Sequence, residues 1–321
     1  MEKNRKLLIA ILALLLFSIT LAVFKIGITI EKDARAFDRG FRPKAGDGIG
    51  IVRIEGPITF ASTGGMLSGP GGAEAVIRRL DELSRDKRIK AIVIRINSPG
   101  GSVSATQEIF RKLMNIRQQN IPLIASMGEI AASGGYYIAS ACDVIVTNPG
   151  TITGSIGVIA VSPNLKKIFD KIGIEMDVIK SGKYKDMLSA YRGIPDDERK
   201  LIQEIIDSSY RIFLRDVSLG RNMPHSEIEP YADGRVFTGE KAIEYKLADK
   251  IGGLEEAINL AREKTGLGPR SPVYDRPRST LEMLLMNIAE NTGRTLYPFN
   301  ERGHLPETYN NPFMVEYRLH R

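Results

Sequence analysis

Residues Ile89 to Ile96 read Ile-Lys-Ala-Ile-Val-Ile-Arg-Ile, a near-continuous apolar run. A strand with one wet face alternates apolar and polar residues. A strand that does not alternate is covered on both faces, as in parallel sheets layered between helices. The neighbouring segments supply such covers. Ala73 to Arg85 has helical spacing, with Val76, Ile77, Leu80 and Leu83 on one face, and Ser104 to Arg117 aligns Ile109, Leu113 and Ile116. Further strands are expected at 49–54, 122–127, 143–147, 156–161 and 176–180. Helices are expected after Ser133, at 165–172, at 196–220 behind Pro195, and at 254–264. This alternation predicts an α/β fold in one domain from about residue 49 to 266.

The flanks differ. Met1 to Lys6 carries Lys3, Arg5 and Lys6, and Leu7 to Phe24 is then uncharged and almost wholly apolar. As a helix that stretch spans about 27 Å, close to a hydrocarbon core of roughly 30 Å. Lys25 can snorkel and let Ile26 to Ile30 extend it. No small-x-small cleavage site follows. Residues 1–30 therefore read as an uncleaved signal anchor, with the basic flank in the cytoplasm and the body outside it. Residues 31–48 read as a linker. Thr59 to Gly72 is a Gly-rich surface loop without the Lys-Ser/Thr ending of a phosphate cradle. Residues 267–321 hold six prolines and one helical patch, Ser279 to Glu290. They read as an irregular tail, packed on a neighbouring subunit or disordered.

Composition removes several kinds of function. The net charge is +7, but the basic residues are scattered and Trp is absent, a poor match to nucleic-acid binding. Cys142 is the one cysteine, so neither an intrachain disulfide nor a Cys-based metal site can form; it reads as a small buried hydrophobe. His225, His304 and His320 lie far from the centre of the chain and none has a second ligand at metal spacing. No metal or cofactor is expected.

The chemistry centres on residues 122–161. Ser133 sits between small residues, where a strand gives way to a helix-like segment. A hydroxyl on such a turn projects outward, and the helix start offers unpaired N–H groups. A nucleophilic serine needs a base, and no histidine lies in the core pattern. A lysine serves if burial among small groups draws its pKa toward neutrality. Lys180, Lys183 and Lys185 share one Ser/Gly turn, and their surroundings in the sequence do not rank them. An oxyanion needs backbone donors; Gly100 or Gly101, after the apolar strand, and Gly134, next to Ser133, are the sources.

Five motifs in order carry a resemblance: Asn97-Ser98-Pro99-Gly100-Gly101, Ala131-Ala132-Ser133-Gly134-Gly135-Tyr136-Tyr137, Thr153-Gly154-Ser155-Ile156-Gly157-Val158, Ser181-Gly182-Lys183-Tyr184-Lys185-Asp186, and Asp233-Gly234-Arg235-Val236-Phe237-Thr238-Gly239. Over residues 49–266 the chain resembles the signal peptide peptidase A family in its short, single-copy form. The resemblance implies a ClpP/crotonase-like fold of repeated ββα units behind an N-terminal transmembrane helix. It implies Ser133 as nucleophile, Lys185 as general base, and Ser155 as the hydroxyl orienting that lysine. Gly100 and Gly134 would be oxyanion donors, with Gly101 the alternative to Gly100. It further implies a ring-like homo-oligomer in which the lysine comes from an adjacent subunit. The location implied is a bacterial inner or plasma membrane, crossed once, with the catalytic domain extracytoplasmic. The substrates implied are cleaved signal peptides and other apolar peptides. The rivals are a crotonase-type acyl-transfer enzyme and a non-catalytic membrane scaffold on the same fold.

Overall fold

The apolar run at 89–96 forms strand β2 (Ile89–Ser98), and both its faces are covered. The computed structural model describes residues 46–60, 72–275 and 316–318. The expected anchor (1–30) and all but the last three residues of the linker lie outside them, as do the loop core 61–71 and most of the tail. Every described strand and helix belongs to one unit that begins at Asp47.

Strand β1 (Gly48–Glu55) pairs with β2 in parallel, as does the later strand β4 (Leu123–Ala132) from the other side. Ile92, Ile94 and Ile96 point to the larger core. There they meet Leu80 of helix α1 (Gly72–Arg85) and Ile109, Leu113 and Ile116 of helix α2 (Val103–Arg117), which follows the short strand β3 (Gly100–Ser102). Ala91 and Val93 point the other way, into a smaller core with Ile49, Ile51, Ile124 and Val146. Burying a Leu or Ile side chain contributes roughly 1.5–3 kcal/mol, so these two faces supply much of the driving force for layering.

Strand β4 runs longer than the apolar run 122–127 predicts. It continues through Gly128 to Ala132 because Asn97 closes a gap in the ladder: its Oδ1 accepts the N–H groups of Glu129 and Ile130, each at 3.1 Å. The first half of β4 pairs with β5 (Val144–Thr147) and the second half with β6 (Ile152–Gly154), both parallel. Between β4 and β5 lies the short helix α3 (Gly134–Ser140). Beyond β6 come α4 (Lys166–Ile172), α5 (Asp196–Arg221) and α6 (His225–Ile228). Strand β7 (Val236–Thr238) pairs antiparallel to β6 and leads into α7 (Gly239–Glu244), which Thr238 caps by accepting the N–H of Lys241. Strand β8 (Lys250–Ile251) extends β5. Helix α8 (Leu254–Thr265) covers the smaller core with Ala257 and Ala261, and β9 (Val273–Tyr274) pairs with β1. The last described segment is strand β10 (Glu316–Arg318).

Two expected strands are corrected. The ladder ends at Gly154, and 156–161 forms no strand beyond an isolated bridge residue at Ile159. Ser155 adopts φ 50°, which turns the chain, and its N–H goes to Arg235 O at 2.8 Å. Residues 176–180 also form no strand: the segment is wholly exposed, and a β-type sequence needs a partner edge before it pairs.

Helix α5 crosses close to the end of α3 at Gly220, where an added Cβ would stand 2.2 Å from Ser140 O. Gly220→Ala is expected to destabilise the domain by about 1–3 kcal/mol, the usual cost of overpacking. A lowered urea midpoint with unchanged slope checks this. Among the described residues no helix is long and apolar enough to cross a membrane; Leu7–Phe24 lies outside them.

Candidate active site

Strand β4 delivers Ser133 to the start of α3. The residue has φ 54° and ψ −115°, a conformation that costs a non-glycine residue about 1–3 kcal/mol and persists only when its surroundings fix it. They do so through the backbone. Its N–H donates to Gly154 O at 2.8 Å, and its carbonyl accepts from Tyr137 N at 2.9 Å. The side chain is buried, and its Oγ has no hydrogen-bond partner among the described residues. A buried hydroxyl left unpaired costs about 1–3 kcal/mol, so this atom is held at the expense of stability.

Ser155 stands beside it. Because Ala132 pairs with Gly154 across β4 and β6, the residues that follow, Ser133 and Ser155, leave the two strands side by side. Both have positive φ and both are buried.

The glycines approach from β3. A Cβ built on Gly134 would lie 3.2 Å from Gly100 Cα, 3.3 Å from Gly101 N and 2.8 Å from Thr106 Oγ1. Only a residue without a side chain allows α3 to sit this close to β3 and α2. The two candidate donors on β3 differ. Gly100 N–H donates to Ser98 Oγ at 3.1 Å, so it is already engaged. Gly101 forms a parallel bridge with Ile58 in which Gly100 O accepts from Ile58 N and Ser102 N donates to Ile58 O. In such a bridge the flanking residues make the bonds, so the N–H and C=O of Gly101 face the opposite edge. Along that edge runs β10, antiparallel, with Tyr317 opposite Gly101 and Arg318 opposite Gly100. Gly134 opens α3, where the helix itself leaves the N–H unsatisfied.

The structure therefore brings Ser133, Ser155, Gly100, Gly101 and Gly134 together. It does not bring Lys185 to them. Lys185 is exposed, and no hydrogen bond or ion pair to its side chain is present among the described residues. It lies on an arm in which no residue from 157 to 187 is buried. The arm nonetheless carries large apolar side chains: Ile172 is 61% exposed, Met176 52% and Ile179 102%. The rival lysines are occupied. Lys180 Nζ is 2.6 Å from Asp186 and donates to Lys183 O at 3.0 Å. Lys183 Nζ is 2.6 Å from Asp197. Hydrogen bonding to Asp197, and next to Tyr184, raises the Lys183 pKa and keeps it charged.

The remaining expectations are simpler. Cys142 is buried, and burial pushes its thiol pKa far up. His225 is exposed; His304 and His320 lie outside the described residues. Among the described residues no group of His, Cys, Asp and Glu could hold a metal ion. Ser98 and Asn97, which fix the β3 turn and the end of β4, were legible only as members of a motif. The partners of Asn97 lie on another strand, and no local pattern announces them, whereas Ser98 bonds Gly100 two residues on.

A family model described as Peptidase family S49 matches residues 115–268, and one described as Clp protease matches residues 70–147. A protein of Synechocystis sp. with a provisional protease name is 40% identical over 254 residues, covering 76% of this chain and 88% of its own length. The chloroplastic serine protease SPPA of Arabidopsis thaliana is 37% identical over 250 residues, 75% of this chain and 36% of its own. A provisionally named signal peptide peptidase of Enterococcus faecium is 38% identical over 189 residues, 59% of this chain and 55% of its own. The chain thus spans most of the first relative and about a third to a half of the other two.

Proposed function

Since the chain belongs to peptidase family S49, the signal peptide peptidase A family of serine peptidases, we propose that it is a membrane-anchored endopeptidase built on a Ser133/Lys185 dyad whose two halves come from neighbouring copies of the chain. Two incomplete groups carry this reading. Among the described residues, the buried Ser133 hydroxyl has no partner, and the Lys185 amine, exposed on an arm with large apolar side chains, has none either. Docking of one copy's arm on the next would cover the apolar side chains and remove Lys185 from water. Desolvation favours the neutral amine, the form a base requires.

In the reaction, the neutral lysine takes the proton of Ser133 Oγ as that oxygen attacks the peptide carbonyl carbon. The C–O bond forms and the carbonyl becomes an oxyanion. Gly134 N–H and one β3 N–H, from Gly100 or Gly101, stabilise it; Gly100 N–H is held by Ser98 and Gly101 N–H faces β10, so the β3 donor is freed when its present partner moves aside. Losing one such donor typically costs about 10²–10³ in kcat. The intermediate collapses, the C–N bond breaks, and the leaving nitrogen takes the proton from the lysine. Water, deprotonated by the same amine, then releases the acyl group. Ser155, beside Ser133, is suited to accept a hydrogen bond from the incoming lysine and aim it. An extended substrate would pair along the edge of β3 that Gly101 faces, in the place that β10 takes here. The anchor at 7–24 would hold this chemistry at a membrane, facing away from the basic flank, where signal-peptide remnants and other apolar peptides are released. The ClpP/crotonase-like repeat of ββα units goes with the same reading.

Hydrolysis of a Leu/Ala-containing fluorogenic peptide by the detergent-solubilised chain tests the proposal. The rate is expected to rise with pH, because only the deprotonated amine is active, with a midpoint well below about 10.4, the ordinary lysine value. A flat profile between about pH 6 and 10 overturns a lysine base.

A further inference from the structure

An arm with nothing buried between 157 and 187 raises a question: what fixes the backbone of Lys185? The next residue in the chain, Asp186, is held on every side. Arg192 donates to its carboxylate through Nε at 3.0 Å and Nη2 at 2.9 Å, and to its backbone carbonyl at 3.0 Å. Tyr191 OH donates to the same carboxylate at 2.9 Å and Lys180 Nζ at 2.6 Å, while Ser189 Oγ donates to the Asp186 carbonyl at 2.5 Å. The other side of the Arg192 guanidinium grips Glu198, Nη2 to Oε1 at 2.7 Å and Nη1 to Oε2 at 3.1 Å. Glu198 is 3% exposed and sits in the first turn of α5, whose far half is rooted in the core by Phe213 and Val217.

We propose that Arg192 is a positioning residue for the peptidase reaction: by gripping Asp186 and Glu198 in one guanidinium, it ties the Lys185 backbone to α5 and presents the lysine to the neighbouring copy's serine in one geometry. This rests on the Ser133/Lys185 reading. The chemistry demands arginine. A planar fork can bond two carboxylates along two edges, whereas an ammonium is a point charge that cannot. The gain is geometric. Misplacing a reacting group by about 1 Å can cost about 10²-fold in rate. The grip also holds across the working pH range. Hydrogen bonds from Arg192, then Lys180, keep the Asp186 carboxyl well below the usual carboxylate range. A depressed carboxyl stabilises the fold above its ordinary pKa and gives way only as pH falls through the lower folded value.

The test uses the full chain in detergent, with Arg192→Gln, Asp186→Asn, the double variant and Lys185→Ala in one peptide assay. Arg192→Gln is expected to lower kcat by about 10²-fold, with KM changed by less than about 2-fold. It is also expected to move the rising limb of the pH profile upward, because a lysine no longer seated stays in water. Asp186→Asn should do the same, and the double variant should cost no more than either single change, as two members of one linkage do. If Arg192→Gln weakens assembly, Asp186→Asn decides, since it leaves the Arg192–Glu198 pair intact. Unchanged kcat, or additive losses with an unmoved pH limb, overturns the positioning role while Lys185→Ala is inactive. Full activity in Lys185→Ala would instead bring down the dyad itself.

Discussion

Ser133→Ala is expected to lower kcat for peptide hydrolysis by at least about 10⁴-fold, and to leave the melting temperature unchanged or higher. The two halves of this result have one cause. The hydroxyl is the group that forms the bond to the substrate, so no other atom in the site substitutes for it. It is also a buried polar atom without a partner among the described residues, and its removal takes no hydrogen bond from them. Alanine keeps the same strained backbone, held by Gly154 O and Tyr137 N–H. A variant that loses activity because it unfolds would show the opposite melting shift. Turnover at the original rate in a folded Ser133→Ala protein would remove Ser133 from the mechanism.

The second large effect is a recovery. Lys185→Ala alone is expected to lower activity by about 10²–10⁴-fold, the range of a general base, without destabilising a chain in which that side chain is exposed and has no partner among the described residues. Subunits carrying Ser133→Ala mixed with subunits carrying Lys185→Ala should then regain activity. In a head-to-tail ring each site takes its serine from one subunit and its lysine from the next. At equal mixing about one quarter of the sites join an intact serine to an intact lysine. A site assembled within one chain predicts no recovery at all. Exchange of subunits is verified by differently tagged copies, so that an absence of recovery counts against the shared site.

Much of the scaffold was legible because burial writes a pattern. The run 89–96 demanded cover on both faces and received it, and the helices at 72–85, 103–117 and 196–221 followed apolar spacings. The failures at 156–161 and 176–180 share a reason. Both segments are rich in β-branched residues, but a strand exists only where an edge is free to receive it, and Ser155 turns the first away while the second meets no edge among the described residues. Composition cannot report an edge. The site was legible to different depths. Ser133 on a turn was evident locally, and the absence of a central histidine pointed to lysine. The choice of Lys185 among its neighbours came from the resemblance. Lys180 and Lys183 are both engaged in ion pairs, and the proposal takes Lys185. The different states of Gly100 and Gly101 depend on the Ser98 hydroxyl two residues before Gly100 and on a bridge to Ile58, and the second of these is a contact that spacing along the chain does not encode.

The short β3 strand has a consequence for what the protein can recognise at all. What it offers along the edge that β10 takes is main-chain N–H and C=O, and two of its three residues are glycines that offer a partner no side chain to read. An edge of this kind accepts a partner through the partner's own unspent backbone hydrogen bonds. Helices and sheet interiors have already used theirs. Any other occupant of the place held by Glu316–Arg318 would have to bring extended backbone with its hydrogen bonds unspent, so that edge would select an unravelled chain over a folded one before any sequence is considered.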